Sequence, residues 1–85
     1  MNPATENAWL DIRAEHERAI SKFPPFHSAH EGFAVILEEL DELKAEVWKN
    51  QKIRDIGAME REARHVAAMA MRFMIDCCYG KKGEK

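Results

Sequence analysis

From Val66 to Ile75 the chain reads Val-Ala-Ala-Met-Ala-Met-Arg-Phe-Met-Ile. Wound as a helix, this segment is apolar almost all round, and such a helix must be covered on more than one side. That demand weighs heavily on a chain of 85 residues. A chain this short buries only about 60–65% of the surface its unfolded form exposes and is marginal alone. Apolar residues make up 46% of it, ample for one core and one domain, and much of the excess lies in this segment. The second cover is most simply another copy of the chain.

The rest of the sequence reads as two more helices. Asn2-Pro3 offers an N-cap followed by proline at the first helical position. Trp9, Ile12, His16, Ile20 and Phe23 then recur at helical spacing, with Asp11, Glu15, Arg18 and Lys22 facing elsewhere. Pro24-Pro25 ends this helix, because proline lacks the ladder donor and disfavours helix in the residue before it. Ser28-Ala29-His30-Glu31 fits a capping box opening a second helix, in which Phe33, Ile36, Leu37, Leu40, Leu43 and Val47 form one apolar stripe. Gly32, costly in a first turn, marks close approach of another backbone or a ligand. Lys49 to Gly57 is a polar connection, and a third helix runs to about Tyr79, with Gly80 as its C-cap. The expectation is an all-α protein: one domain over 1–80 with helices at roughly 3–23, 28–49 and 56–79, and a charged tail at 81–85. Oligomerisation then builds a four-helix-bundle-like core.

Several function classes fall away. A net charge of −2 and a pI near 6.1 carry no electrostatic footprint for nucleic acid. No apolar run approaches the roughly 20 residues that span a bilayer. Asp11, Glu15 and Glu17 argue against a signal peptide, so a cytoplasmic location is expected. Cys77 and Cys78 are adjacent and lack zinc-site spacing, which reads as reduced packing residues near a helix end.

Chemistry concentrates in two acidic groups. Glu39, Glu42 and Glu46 stack on one side of the second helix with no basic residue interleaved, although like charges at i, i+4 destabilise a helix. Glu38 sits at the edge of that stripe. Glu62 and His65, at i and i+3, begin the apolar third helix. Grouped carboxylates suit a hard cation such as Mg²⁺. The plain alternative is a solvated acidic face, with Glu62 near a helix start and His65 a hydrogen-bonded boundary histidine. Asp76 cannot join Glu62 on one ion, since 14 residues of helix separate them by about 21 Å. His27 and His30 flank the capping serine, where a ligand or simple loop packing accounts for them equally. Among the cations Lys44, Lys49, Lys52, Arg54 and Arg72, the last stands out. A guanidinium amid apolar neighbours needs an anionic partner, either a phosphate or a glutamate of helix two.

Together these clusters resemble the MazG-like superfamily of all-α nucleoside triphosphate pyrophosphohydrolases, which carries EExxE on one helix and ExxD on the next. Glu38-Glu39-Leu40-Asp41-Glu42 matches the first motif, and Glu62-Ala63-Arg64-His65 the second, with histidine in place of aspartate. His30 to Leu43 and Glu62 to Asp76 are similar to small phage and mobile-element members, so the likeness spans roughly 28 to 76. The resemblance implies hydrolysis of an NTP or dNTP to the monophosphate and pyrophosphate with Mg²⁺, or Mn²⁺, as cofactor. It implies Glu39, Glu42, Glu62 and His65 as metal ligands, and Glu38 and Glu39 as catalytic residues, Glu38 being a further ligand or the residue that orients water. Arg72, Lys49 and His30 are the candidate substrate contacts. The implied assembly is a homodimer or homotetramer. Neutral imidazole suits zinc or manganese better than magnesium, so His65 either retunes the site or disables it. The other readings are a non-catalytic oligomer of the same fold that binds nucleotide or a protein partner, and a purely structural adaptor.

Overall fold

A computed structural model describes residues 2–80, which form three α-helices with no strand among them. Helix α1 spans Pro3–Lys22, α2 Ala29–Val47 and α3 Ile56–Phe73. A short 3₁₀ turn, Gln51–Ile53, lies in the α2–α3 connection, and α3 runs on into a single π-helical turn, Met74–Cys78. The three helices expected from periodicity are all present. The expected charged tail at 81–85 lies outside the described residues. None of these helices is long and apolar enough to cross a membrane.

Local chemistry sets the helix starts. The Asn2 side chain accepts from Thr5 N at 2.8 Å, with Pro3 at the first helical position. Asp55 caps α3 by accepting from Ala58 N at 3.1 Å. At α2 the capping box is offset. Ser28 Oγ accepts from Glu31 N at 3.1 Å, but Glu31 Oε1 takes the His27 amide, at 2.7 Å, instead of that of Ser28. Gly80 adopts a φ of 77°, the left-handed conformation expected after a helix end. Within the π turn Tyr79 N donates to Met74 O at 2.8 Å, and both cysteines sit half-buried there, Cys77 donating to Ser28 O.

Helix α3 lies between the other two, and α1 and α2 cover its two sides. Part of its second cover is therefore supplied by α1 of the same chain, while Met74 and Ile75 of the apolar segment stay 48% and 42% exposed. Small residues allow the approach: Ala19 of α1 and Ala58 and Ala68 of α3 are the buried apolar side chains. The row that α1 turns inward differs in part from the expected one, keeping its Ile12 and His16. Ile12, Glu15, His16 and Ala19 are covered, while Trp9, Ile20 and Phe23 are exposed.

Arg72 explains this rotation. It is 3% exposed, and its anionic partner is Asp76, one turn on in its own chain, not a glutamate of α2. Nε donates to Asp76 Oδ2 at 3.0 Å, Nη1 to Ala19 O at 3.3 Å and Nη2 to Phe23 O at 2.7 Å. The same Asp76 oxygen accepts from Phe26 N at 3.1 Å, and the Phe26 ring lies under the guanidinium. The end of α1, where Ala19 O also accepts from Phe23 N at 3.0 Å, is thus fixed to α3 by one side chain, and the Pro24-Pro25 turn follows it. Phe26 and Phe73 then press on Gly32: a Cβ there would lie 2.9 Å and 2.7 Å from their rings. The close approach marked by this glycine is aromatic packing, not a second backbone or a ligand.

One face has no cover in the single chain. Phe33, Leu37, Leu40 and Trp48 follow one another along α2 and are 44–73% exposed, and no large side chain is fully buried among the described residues. The radius of gyration is 14.6 Å, against about 12 Å for a compact chain of this length.

Candidate metal centre

The two acidic groups meet. Because α2 packs along α3, the face of α2 carrying Glu39 and Glu42 comes opposite the first turns of α3, where Glu62 and His65 project one turn apart. One ligand atom from each of Glu39, Glu42, Glu62 and His65 lies within 4.8 Å of every other. A cation about 2.1 Å from its ligands holds them no more than about 4.2 Å apart, so a closure of a few tenths of an ångström completes such a shell.

The unliganded electrostatics point the same way. Glu39 Oε2 and Glu62 Oε1 are buried oxygens without a hydrogen-bond partner. Burial first, then a carboxyl–carboxylate hydrogen bond and the charge of Glu42, and finally Glu62, push the Glu39 carboxyl up to about 7, although His65 pulls it down. Crowded carboxylates of this kind fit a divalent cation, and the mixed set of three carboxylates and one imidazole fits Mn²⁺ or Zn²⁺ as well as Mg²⁺.

A fourth carboxylate also reaches the site. Glu15 of α1, whose side chain is 12% exposed, places Oε2 3.6 Å from His65 Nε2, while His65 Nδ1 faces Glu62 Oε1 at 3.3 Å and Glu39 Oε2 at 3.5 Å. Sequence periodicity put Glu15 on the outward face of α1. The signal was its place one turn before Ala19, the only buried residue among those described in α1. Burial works to raise the Glu15 carboxyl, but its hydrogen bond from Arg18, with His65, Arg18 and Arg64 close by, outweighs this and holds it below its ordinary value.

Beside the cluster a cavity of about 460 Å³ opens between the helices, within the range of small-molecule sites. Glu15, Glu38, Glu39 and His65 line its polar side, and Phe23, Phe26, Val35 and Met69 its apolar side. Glu38 is exposed at this rim and is not among the four converging residues.

The three candidate substrate contacts are dispersed. Arg72 borders the cavity, but its guanidinium is engaged by Asp76 and two α1 carbonyls. Lys49 lies beyond the C-terminal end of α2, paired with Glu46 at 2.8 Å, and His30 is exposed in the first turn of α2; neither lines the cavity. Arg54 donates to Val47 O at 2.8 Å at the end of α2, and Lys44 lies over the Trp48 ring. The chain matches no protein-family model, no curated protein and no solved structure.

Proposed function

We propose that this chain is a metal-dependent nucleoside triphosphate pyrophosphohydrolase, releasing pyrophosphate from an NTP or dNTP, and that it works as a homo-oligomer in the cytoplasm. The observation that carries the reading is the convergence of Glu39, Glu42, Glu62 and His65 within 4.8 Å, beside a cavity of about 460 Å³. The resemblance of the two helix motifs to the MazG-like enzymes supplies the reaction class.

Glu39, Glu42, Glu62 and His65 would hold the cation. When bound, Mg²⁺ or Mn²⁺ neutralises the triphosphate and polarises the scissile phosphoanhydride. Glu38, exposed and lining the cavity, would orient the attacking water and accept its proton. Phe23, Phe26, Val35 and Met69 provide an apolar wall for the nucleoside and limit water around the reacting phosphates. Without a cation the carboxylates repel a triphosphate, so substrate binding depends on the ion. The exposed residues Phe33, Leu37 and Leu40 on α2, with Trp48 at its end beyond Lys44, favour self-association.

A second reading is a non-catalytic nucleotide-binding oligomer of the same fold, favoured by His65 standing where the related motif has an aspartate. Incubation with Mg²⁺ or Mn²⁺ and a panel of NTPs and dNTPs separates the two. Pyrophosphate release that disappears in Glu39→Ala and Glu42→Ala supports the enzyme. Absence of turnover, with a rise in melting temperature on adding nucleotide plus metal, supports the binding protein. If neither ligand shifts the melting temperature, both readings fail.

A further inference from the structure

Four carboxylates, those of Glu15, Glu31, Glu38 and Glu39, line the cavity. A phosphorylated ligand entering it meets a negative wall, and the Glu39–His65 cluster offers a place for a cation at one end alone. The described lining residues include two guanidinium groups, those of Arg18 and Arg72. Arg72 is committed to the fold: it is 3% exposed, and Nε, Nη1 and Nη2 all donate to Asp76 or to α1 carbonyls. Arg18 is not. Its side chain is 49% exposed, and it spends one edge alone, Nε donating to Glu15 Oε1 at 3.3 Å and Nη2 to Glu15 Oε2. A guanidinium carries five N–H donors in a planar fork, so the outer edge, Nη1 together with the second Nη2 hydrogen, remains free to donate. Glu15, Arg18 and Phe23 all line the cavity from α1. Arg18 stands about 4.5 Å along the helix axis from Glu15, and Phe23 about 7.5 Å further on. The cavity therefore passes from the cluster, through a guanidinium, to an aromatic wall. A nucleotide has the same order: outer phosphates, the phosphate next to the sugar, and the nucleoside.

We propose that Arg18 is a substrate-binding residue whose free edge holds the phosphate next to the sugar, the one that stays on the monophosphate product, while Glu15 fixes the guanidinium from its other edge. The inference rests on the reading of the cavity as a nucleotide site. It assigns α1, which carries none of the acidic motif residues, the phosphate contact that Arg72, Lys49 and His30 do not supply. Two N–H groups on one guanidinium edge match two phosphate oxygens, and a lysine has no such fork. The carboxylate pair also lowers the ordering cost, because the side chain is already held before the ligand arrives.

The test uses the full chain, Arg18→Gln, Arg18→Lys and the double variant Glu15→Gln/Arg18→Gln. An exposed i, i+3 pair contributes little to stability, so melting curves should show each variant folded. Calorimetry in Mg²⁺ then measures binding of the common nucleoside triphosphates and monophosphates and of inorganic pyrophosphate. In Arg18→Gln the affinity for the monophosphate that the parent binds best should fall about tenfold or more, while pyrophosphate binding stays at the parent level. Arg18→Lys should recover part of the loss. The double variant should bind no better than Arg18→Gln. If it regains the parent affinity, Arg18 acts only by cancelling the charge of Glu15, and the proposal is overturned. Unchanged monophosphate affinity in Arg18→Gln overturns it, as does an equal loss for pyrophosphate. A parent that binds a triphosphate but no monophosphate overturns it too while leaving the nucleotide site standing. If the parent binds no nucleotide at all, the underlying reading of the cavity fails as well.

Discussion

The Glu39 carboxyl ties metal binding to pH in a way that can be worked out before any measurement. Its folded-state pKa is raised from 4.5 to about 7 by burial and by Glu42 and Glu62, and a cation must bind the ionised form. At pH 6 about one Glu39 in ten is ionised, so the apparent affinity lies about tenfold below its limit, and at pH 5 about a hundredfold below it. Above pH 8 the affinity is level. An unperturbed glutamate would be almost wholly ionised at pH 6 and would leave no slope there. Calorimetric titration with Mn²⁺ from pH 5.5 to 8.5, in buffers of different ionisation enthalpy, measures both the affinity and the protons released. Close to one proton per ion is expected from this carboxyl at pH 6 and none at pH 8.5. Glu39→Gln should bind more weakly and lose this part of the slope. The metal-free protein carries the opposite sign. Between pH 4.5 and 7 its native state binds more protons at Glu39 than the unfolded chain does, so this group makes the fold less stable as pH rises through that window. Glu39→Gln should therefore melt higher than the parent at pH 8 without metal. Affinity that is flat from pH 6 to 8, with no difference between parent and Glu39→Gln, refutes the reasoning.

His65→Asp converts the centre to oxygen ligands and should tighten Mg²⁺ binding about tenfold, or about 1.4 kcal/mol, by calorimetry at pH 8; weaker binding would show the imidazole to be the proper ligand. Arg72→Met leaves Asp76 without its buried partner and should cost about 3–5 kcal/mol of the roughly 4–13 kcal/mol available to a chain of this length; urea unfolding that detects less than about 1 kcal/mol contradicts the clamp. Gly32→Ala gains up to about 1 kcal/mol in helix propensity but drives a methyl into Phe73 and Phe26, an overpacking cost of about 1–3 kcal/mol. The melting temperature should fall, at about 4–8 °C per kcal/mol of net loss, and any rise means the rings yield freely. Leu40→Glu places a charge in the exposed α2 row and should give a monomer by light scattering at concentrations where the parent is associated; a parent that is monomeric throughout refutes self-association.

What the sequence disclosed and what it concealed divide along one physical line. Signals within a few residues of one another were readable: the Asn2 and Ser28 caps, the Pro24-Pro25 stop, and the i, i+3 pairs Glu39–Glu42 and Glu62–His65 all appear where spacing put them. Even the capping box departs by a single residue, because Glu31 reaches the amide of His27. Interactions between residues some 50 positions apart left no such trace. Arg72 could be seen to need an anion, and Asp76, four residues on, is a local partner, although the expectation favoured a glutamate of α2. The two α1 carbonyls that Arg72 also binds depend on how α1 lies across α3.

That crossing also decides how much of the centre was visible. Periodicity gives the row of α1 that is most apolar, Trp9, Ile20 and Phe23 among it, and hydrophobic burial alone would turn this row inward. The structure keeps Ile12 and His16 of that row covered and turns Glu15 and Ala19 in beside them. The Arg72 clamp supplies a reason: its bonds to Ala19 O and Phe23 O fix the rotation of α1, and a small residue at Ala19 lets the helices close. In that setting Glu15 reaches His65, and the rest of the apolar row is left to solvent or to a second copy of the chain. Helix α1 thus covers part of the second side of the Val66 to Ile75 segment, while Met74 and Ile75 at its end stay exposed. Further uncovered apolar surface lies on α1 and along α2 from Phe33 to Trp48, and an oligomer would form over these residues.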